Sequence, residues 1–214
     1  ASTFTSHITV NNTAQVGDKV VINASNGSTA LTPITHVLTA NDITNGFDVT
    51  FTKPAEGTTQ VVTANYVDAA GNAATDTQAT DNAKLDTTAP SNSSVGLAIA
   101  ISTDANNDAL VSTAELNSAS TFTSHITVNN TAQVGDKVVI NASNGSTALT
   151  PITHVLTAND ITNGFDVTFT KPADGQTQTV TANYVDAAGN AATDTVPTDS
   201  ATLQLATNAT ATID

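Results

Sequence analysis

The chain has 214 residues, 39% of them hydrophobic, and a formal net charge of −14, with no Cys, Met or Trp. The missing cysteines exclude a disulfide framework and Cys-ligated metal centres, and the acidic balance argues against a nucleic-acid partner because the chain repels phosphate groups. No apolar run is long enough to span a bilayer as a helix, so we expect no membrane insertion. Thr and Val are abundant, which favours strands over long helices.

The chain contains one long sequence twice. Residues 1–77 and 119–195 align without a gap at an offset of 118 residues. The copies differ at three of the 77 aligned positions, which are Glu56/Asp174, Thr58/Gln176 and Val61/Thr179. A near-identical repeat of this length indicates a modular array. Stalks, spacers and multivalent binders are built in this way, whereas an enzyme rarely repeats its whole body.

Apolar and polar residues alternate in short runs along both copies. This two-residue period predicts strands at residues 47–51, 62–67, 122–128, 137–141, 165–169 and 180–185. Turn signals separate the strands of the first copy, at residues 17–18, 26–27, 45–46, 57 and 71–72. Two of these turns are Asn-Gly pairs, which are strong hairpin signals. Short strands with frequent turns predict an all-β fold of tandem immunoglobulin-like β-sandwich domains joined by short linkers.

The two copies also define the predicted domain boundaries. Residues 85–90 are interpreted as a linker, because the proline that ends them cannot donate to a sheet. Residues 91–203 then form a complete domain whose first strand is 95–101, and residues 204–214 form a tail or the start of another linker. Residues 1–84 form a domain without that first strand and the loop after it, which exposes a sheet edge. Either the sequence begins inside a domain, or the assigned phase of the repeat is wrong. In the first case we expect the incomplete domain to be completed by a neighbouring molecule.

An acidic loop follows the predicted first strand of the complete domain. Its oxygen-bearing residues match the ligand positions of the calcium-loop pattern, in the order Asp104, Asn106, Asp108, Leu110 (through its main-chain carbonyl), Ser112 and Glu115. Ca²⁺ takes about six to eight hard oxygen ligands, and Glu115 would close the site as a bidentate ligand. Ala109 departs from the pattern, because glycine normally provides the sharp turn there, and we therefore expect an unfavourable backbone angle at Ala109 or a changed loop shape. We predict a calcium site, and a solvated acidic loop is the alternative.

A second candidate is the five-residue turn Asp-Ala-Ala-Gly-Asn, which follows a strand in both copies. Its carboxylates are Asp68 and Asp186. One interpretation is a tight turn in which the aspartate caps main-chain N–H groups. The other is that Asp186 joins Asp86 of the linker in a calcium site that stiffens the joint between domains. The four histidines are two duplicated positions without a metal or catalytic motif, and we interpret them as structural or exposed.

Several short motifs together resemble a known family. The linker 85–90 resembles the joint between bacterial Ig-like repeats, the turn at 186–190 resembles their final hairpin, and residues 156–161 resemble a recurrent mid-domain segment. With the acidic loop, the whole chain resembles the extender repeats of giant RTX-type (LapA-like) surface adhesins. The resemblance implies a β-sandwich stalk at the surface of a Gram-negative bacterium, type I secretion, and Ca²⁺ at or near the joints. It also implies that other domains of the parent protein bind the ligand.

The sequence-based function is therefore a non-enzymatic, calcium-stabilised extender of an extracellular adhesin used for biofilm formation or surface attachment. Its predicted partners are neighbouring repeats of the same chain. One alternative is a direct glycan- or surface-binding module, although few aromatic residues are available to stack on sugars. Another alternative is an accessory domain of an enzyme.

Overall fold

The computed structural model describes residues 2–206, and the chain divides into two compact units. We call residues 1–87 unit 1 and residues 88–214 unit 2. The division between them falls inside the segment 85–90 that the sequence marks as a linker. Residues 207–214, which make up most of the predicted C-terminal tail, lie outside the described residues.

Unit 1 has seven strands and one short helix among its described residues. The strands are Thr3–Ile8 (β1), Lys19–Asn26 (β2), Thr29–Ala30 (β3), Ile34–Val37 (β4), Phe47–Thr52 (β5), Thr59–Val67 (β6) and Ala79–Lys84 (β7), and the helix is Ala40–Asn45 (α1). One sheet has the order β3-β2-β6-β7, with β4 also paired to β2. The other sheet contains β1 and β5 alone.

Unit 2 has the same elements and three more before them. The additional elements are Ala98–Ala100 (β8), Leu110–Ser112 (β9) and the helical turn Thr113–Leu116 (α2). The shared elements follow as Thr121–Thr127 (β10), Lys137–Asn144 (β11), Thr147–Ala148 (β12), Ile152–Val155 (β13), Ala158–Asn163 (α3), Phe165–Thr170 (β14), Thr177–Val185 (β15) and Thr198–Gln204 (β16). Its two sheets have the orders β14-β10-β8 and β12-β11-β15-β16-β9, with β13 also paired to β11.

The predicted all-β sandwich is confirmed. In β14 the residues alternate strictly between buried and exposed, so that Phe165, Val167 and Phe169 face the core. The six-stranded sheet contributes Val138, Ile140 and other apolar side chains to the same core cluster. Side chains of a strand point alternately to opposite faces, and the two-residue period of the sequence therefore places one row inside.

One predicted turn is part of a helix instead. Asn26 and Gly27 do connect the hairpin β2–β3, but Asn45 and Gly46 end helix α1, with Gly46 at a φ of 74°. The helix forms because a capping box, which was not predicted from the sequence, stabilises its start. The Thr39 hydroxyl accepts from the N–H of Asp42, and the Asp42 carboxylate accepts from the N–H of Thr39.

The predicted strand at 95–101 is wrong in length. Only Ala98–Ala100 pair, with β10, because the preceding residues form a turn in which Gly96 has a φ of 59°. The chain then crosses to the other sheet, where Leu110–Ser112 run parallel to β16. We call residues 91–117 the closing segment, since they join one edge of each sheet.

Two side chains fix the start of the closing segment. Asn92 is buried, its side-chain nitrogen donates to Asn183 Oδ1 over 2.8 Å, and its oxygen accepts from the N–H of Tyr184 over 2.9 Å. Asp194 accepts from the N–H groups of Asn92 (2.8 Å) and Ser93 (3.0 Å) and from nearby serine hydroxyls. These N–H groups hold the pKa of Asp194 well below its ordinary value.

A buried carboxylate orders the loops at the same end of unit 2. Asp136 accepts from the Tyr184 hydroxyl, from the N–H of Gln133 over 3.0 Å and from the N–H of Ala187 over 2.8 Å. Burial and the Asp136 carboxylate raise the pKa of Tyr184. Unit 1 repeats this arrangement with Asp18 and Tyr66. In unit 2 the pair joins the turn before β11 to the turn after β15, and in unit 1 it joins the turn before β2 to the turn after β6.

We expect the stability of unit 2 to fall in acid, in part through Asp194. Its pKa in the folded state lies below the ordinary value of 3.8, so its contribution is present above about pH 4 and is lost as the pH falls through the folded-state pKa. Asp194→Asn should lower the free energy of unfolding at neutral pH and should make its fall below about pH 4 shallower. Urea denaturation at a series of pH values measures both effects.

The repeat offers a matched control for this measurement. Asp76 is the equivalent carboxylate of unit 1, and among the described residues of unit 1 no closing segment packs on it. Asp76→Asn should therefore leave the acid dependence of the unit 2 transition unchanged. An Asp194→Asn protein with the full acid sensitivity of the parent would contradict the role assigned to this carboxylate.

Candidate calcium site

The candidate loop is part of the closing segment and lies beside the chain that leaves unit 2. Residue Leu110 is opposite Thr202 in the parallel pairing of β9 with β16. The Thr113 hydroxyl accepts from the N–H of Ala206 over 3.0 Å, immediately after β16. A cation held in this loop would thus act at the outgoing end of the unit, where the topology of a sandwich places it.

The first half of the loop is organised by side-chain oxygens. Asp104 is buried, and its two carboxylate oxygens accept from the N–H of Asp108 over 3.2 Å and from the N–H of Ala109 over 2.8 Å. Asn106 Oδ1 accepts from the same N–H of Asp108 over 3.1 Å. Asp104 and Asn106, the predicted ligands at positions one and three, therefore direct oxygens to one point.

The second half of the loop ends in a capping box. The Ser112 hydroxyl accepts from the N–H of Glu115, and the Glu115 carboxylate accepts from the N–H and the hydroxyl of Ser112 over 2.9 and 2.8 Å. The Ser112 groups, together with the N–H groups of Asn106 and Ala105, hold the pKa of Glu115 below its ordinary value. Glu115 is thereby ionised and faces the start of the loop, as a closing ligand would.

The backbone at Ala109, where the calcium-loop pattern normally has glycine, adopts the positive φ that the pattern requires. Ala109 has a φ of 65°, and Asn107 has a φ of 56°. The sequence analysis expected an unfavourable angle or a changed loop shape at Ala109, and the structure shows the unfavourable angle. An L-residue in this region costs about 1–2 kcal/mol relative to the right-handed conformation. Two N–H bonds to Asp104 and Asn106 hold the turn in place.

The ligand chemistry of the loop favours a metal ion, whereas the positions of its side chains do not form a metal site. The loop presents only hard oxygens, which is the ligand chemistry that Ca²⁺ prefers. Among residues 2–206, however, no three His, Cys, Asp or Glu side chains stand together as a group that could hold a metal ion. The carboxylates point to main-chain N–H groups instead. A bound cation would compete with these N–H groups for Asp108 and Glu115.

The second predicted site has the geometry of a capped turn. Asp186 accepts from the N–H and the side-chain nitrogen of Asn190 over 2.8 and 2.9 Å, and Asp68 makes the same bonds to Asn72. Burial opposes ionisation of Asp186, but the Asn190 groups hold its pKa below the ordinary value. These bonds account for the spacing of the turn, which is repeated in both copies, without a metal. The pairing of Asp186 with Asp86 joins different units and stays a prediction.

The histidines have structural partners. His154 Nε2 lies 2.9 Å from Asp160 Oδ2, and its ring stacks on Phe165 with 3.9 Å between centroids. His36 makes the equivalent contacts in unit 1. His125 lies 2.7 Å from Asp166 at an exposed position. These contacts join β13 to helix α3 and to β14, and β10 to β14, which agrees with the interpretation of the histidines as structural or exposed.

Comparison with known proteins identifies no family for this chain. No family model matches the chain, and none of the curated proteins matches its sequence. Among solved structures, the chain is similar to the FN1–FN3 domains of chicken CNTN1, with a TM-score of 0.43 and 8% identity. That match covers 87% of this chain and spans 57% of the CNTN1 chain. At this low TM-score, the similarity adds nothing to the assignment of function.

Among the described residues, no helix has the length and apolar character needed to cross a membrane.

Two residues that hold the closing segment in place were not predicted from the sequence. Asn92 and Asp194 lie in serine- and threonine-rich stretches that carry no pattern of their own. A polar side chain that is buried by a distant segment gives no local signal, so only the fold identifies it.

Ala109→Gly should stabilise unit 2 by about 1 kcal/mol, because glycine adopts a positive φ without the steric cost of Cβ. Chemical denaturation followed by circular dichroism measures the change. Ala105→Gly in the same loop is the control, since Ala105 is not among the residues with positive φ. There glycine should destabilise through the entropy of the unfolded chain. Equal effects of both substitutions would show that backbone strain at Ala109 is not the cause.

Proposed function

We propose that this protein is a non-enzymatic extender, a set of tandem β-sandwich repeats that spaces a distal binding region from a bacterial cell surface. Its partners are the neighbouring repeats of its own chain. The proposed location is extracellular, at the surface of a Gram-negative bacterium after type I secretion. Other domains of the parent protein would bind the ligand for attachment or biofilm formation.

One observation carries this proposal, which is the repetition of most of a sandwich domain with 74 of 77 aligned residues unchanged. Strands β1 to β7 of unit 1 recur as β10 to β16 of unit 2, with the same pairing register. Repeated units that each bury their own core give length without new chemistry. The acidic surface supports solubility and keeps such a chain from self-association.

Calcium is the proposed stabiliser of each complete repeat. The ligands would be Asp104, Asn106, Asp108, Ser112 and Glu115 with the Leu110 carbonyl, and the ion would offset the repulsion among their carboxylates. The ionised Glu115 and the positive φ of Ala109 support this assignment. Extracellular calcium modules bind with dissociation constants of about 10⁻⁴ to 10⁻³ M, which suits a cell-surface protein.

Calcium should raise the melting temperature of unit 2 by roughly 10 °C when its free concentration is about 100 times the dissociation constant. This follows from about 2.7 kcal/mol of binding linkage and a few degrees of melting temperature per kcal/mol. Glu115→Gln should remove most of that rise, because glutamine keeps the capping box and loses the charged bidentate ligand. Differential scanning calorimetry in calcium and in chelator, with magnesium as a comparison, measures it.

The control is Asp166→Asn, which removes the same charge from an exposed carboxylate on β14 that pairs with His125. It should keep the full calcium-dependent rise. The readout is the difference between calcium and chelator, because Asp104 and Glu115 also accept main-chain hydrogen bonds and their loss destabilises the loop without metal. A Glu115→Gln protein with an unchanged calcium response would refute the ligand assignment.

The extender role itself predicts how length depends on repeat number. Chains with additional copies of the 118-residue repeat should have a maximum dimension that grows in proportion to the number of copies. Small-angle X-ray scattering in calcium measures this dimension. A dimension that grows only with about the cube root of the mass would show that the repeats collapse on one another, and the chain would then not act as a spacer.

A further inference from the structure

Among the described residues, unit 1 has an open groove along the side of its core where no counterpart of the closing segment packs. The groove encloses about 550 Å³ between the free edge of β1 and the strands β6 and β7. A second depression of about 350 Å³ continues it past Phe4 and Gln60. The floor of the first groove contains apolar side chains of the unit 1 core, among them Ile8, Val62 and Ala64.

The repeat shows which surface has been opened. Positions far from the groove are equally buried in both units, such as Phe47 and Phe165 at 8% exposure, or Leu38 and Leu156 at 1%. Other positions are fully buried in unit 2 and partly or fully exposed in unit 1. These pairs are Ser124/Ser6, Ile126/Ile8, Ala182/Ala64, Tyr184/Tyr66, Ala201/Ala83 and Leu203/Leu85. The closing segment contacts three of these positions in unit 2, through the pairing of Ile99 with Ile126, the bond of Asn92 to the Tyr184 N–H and the pairing of Val111 with Leu203.

The closing segment fills this space in unit 2 with apolar and polar groups. Val95, Leu97 and Ile101 enter the core. Ala98–Ala100 pair with β10 in the order Thr127↔Ala98, Ile126↔Ile99 and His125↔Ala100. The N–H of Ile101 donates to Asp199 over 2.6 Å. The segment is therefore recognised by shape, by strand pairing and by hydrogen bonds together.

The polar partners of residues 91–101 are repeated in the groove. In unit 2 these residues bond to the side chains of Asn129, Thr131, Asn183, Asp194 and Asp199 and to the main-chain carbonyl of Thr195. The residue 118 positions earlier is identical in each case, and all six line the groove: Asn11, Thr13, Asn65, Asp76, Thr77 and Asp81. Unit 1 thus carries the same polar partners for residues 91–101.

We propose that the groove of unit 1 is a binding site for an extended polypeptide with the pattern of residues 91–101, supplied from outside unit 1. The occupant adds a strand to the edge of β1 and buries its asparagine against Asn65 and Asp76. The recognised pattern is Ser-Asn, then Val-Gly-Leu, then two isoleucines in alternation. Glycine is required at its position because a Cβ on Gly96 lies 2.9 Å from Asn129, the counterpart of Asn11.

This inference is independent of calcium and of the extender role, and it concerns a segment of this pattern wherever it lies in the parent protein or in another molecule. A second copy of the whole chain is a poorer occupant, since its own segment is already buried in its unit 2 and would exchange one set of contacts for an identical set. A free segment gains all of these contacts. Main-chain pairing with an exposed edge and pockets for alternate side chains are the usual basis of such strand addition.

Disulfide trapping on the full-length chain tests the proposal, because the chain has no cysteine of its own. A peptide with the sequence of residues 90–103 carries Ala98→Cys, and the chain carries Thr9→Cys, the counterpart of Thr127. Opposed residues of antiparallel strands have Cα atoms about 4.5–5.5 Å apart, which is within disulfide range. In glutathione buffer with chelator, we expect the mixed disulfide between peptide and chain to accumulate.

Three matched controls define the expected result. The chain with Thr127→Cys should trap at least about tenfold less peptide, since its site is filled by its own segment. A peptide with Ala100→Cys in place of Ala98→Cys should also trap poorly, because the cysteines are then about 7–8 Å or more apart. Adding Asn92→Ala to the trapping peptide should reduce capture about tenfold through the lost side-chain hydrogen bonds.

Equal trapping at Thr9→Cys and Thr127→Cys, or none at Thr9→Cys, would overturn the proposal. A chain carrying both Thr9→Cys and Ala98→Cys gives a further test, and a disulfide-linked dimer that excludes the peptide would show that a second copy is the occupant instead. Since chelator is present throughout, a negative result would leave the calcium-dependent function of unit 2 intact. Loss of the calcium response would likewise leave this inference intact.

Discussion

The packing of the closing segment on both sheets is the interaction on which the structure of unit 2 depends. Unit 1 has nearly the same sequence without this segment, and it retains every strand and the same register while its core is open along one side. The order and register of the shared strands therefore do not depend on the closing segment. Closing them into a sandwich requires the buried Asn92 and the apolar residues that follow it. The secondary structure and the sealing of the core are separable contributions in this fold.

The proposed calcium loop and the segment that seals the core are one continuous stretch of chain. Asp104 follows Ile101 by three residues, and Leu110 begins the strand that pairs with β16. A cation at Asp104 and Glu115 would hold together the two ends of this crossing, so its binding energy would reach the core through the chain itself. The carboxylate of Asp194 anchors the beginning of the same stretch. The proposed cation at one end would thus add to the N–H donation at the other end in stabilising a single structural element.

Residue patterns predicted the sheets well and the connections poorly. Alternation in 165–169 predicted both the strand and its buried face, because burial there is decided by neighbouring positions alone. The hairpin at Asn26-Gly27 was predicted for the same local reason. Helices α1 and α3 were missed because their capping box of Thr and Asp is a short signal inside a chain rich in both residues. The strand at 95–101 was predicted too long, since apolar character continues through a turn that the distant contacts of Asn92 determine. In the candidate site, the unusual φ of Ala109 followed from the loop pattern, whereas the hydrogen-bonded orientation of its carboxylates did not.

The position of the closing segment along the chain has a consequence for how the protein is made. A ribosome completes residues 1–87 before residues 119–206 exist. Residues 91–101 therefore leave the ribosome when the polar side chains that match their partners in unit 2 are present in unit 1, whereas those of unit 2 are not yet made. These side chains give no basis for choosing between the two sets of partners. Connectivity does, because the short link through 117–121 brings the segment to β10 with its strands in the observed order. In the vectorial synthesis of near-identical repeats, the length of one short link thus determines which set of partners a segment pairs with.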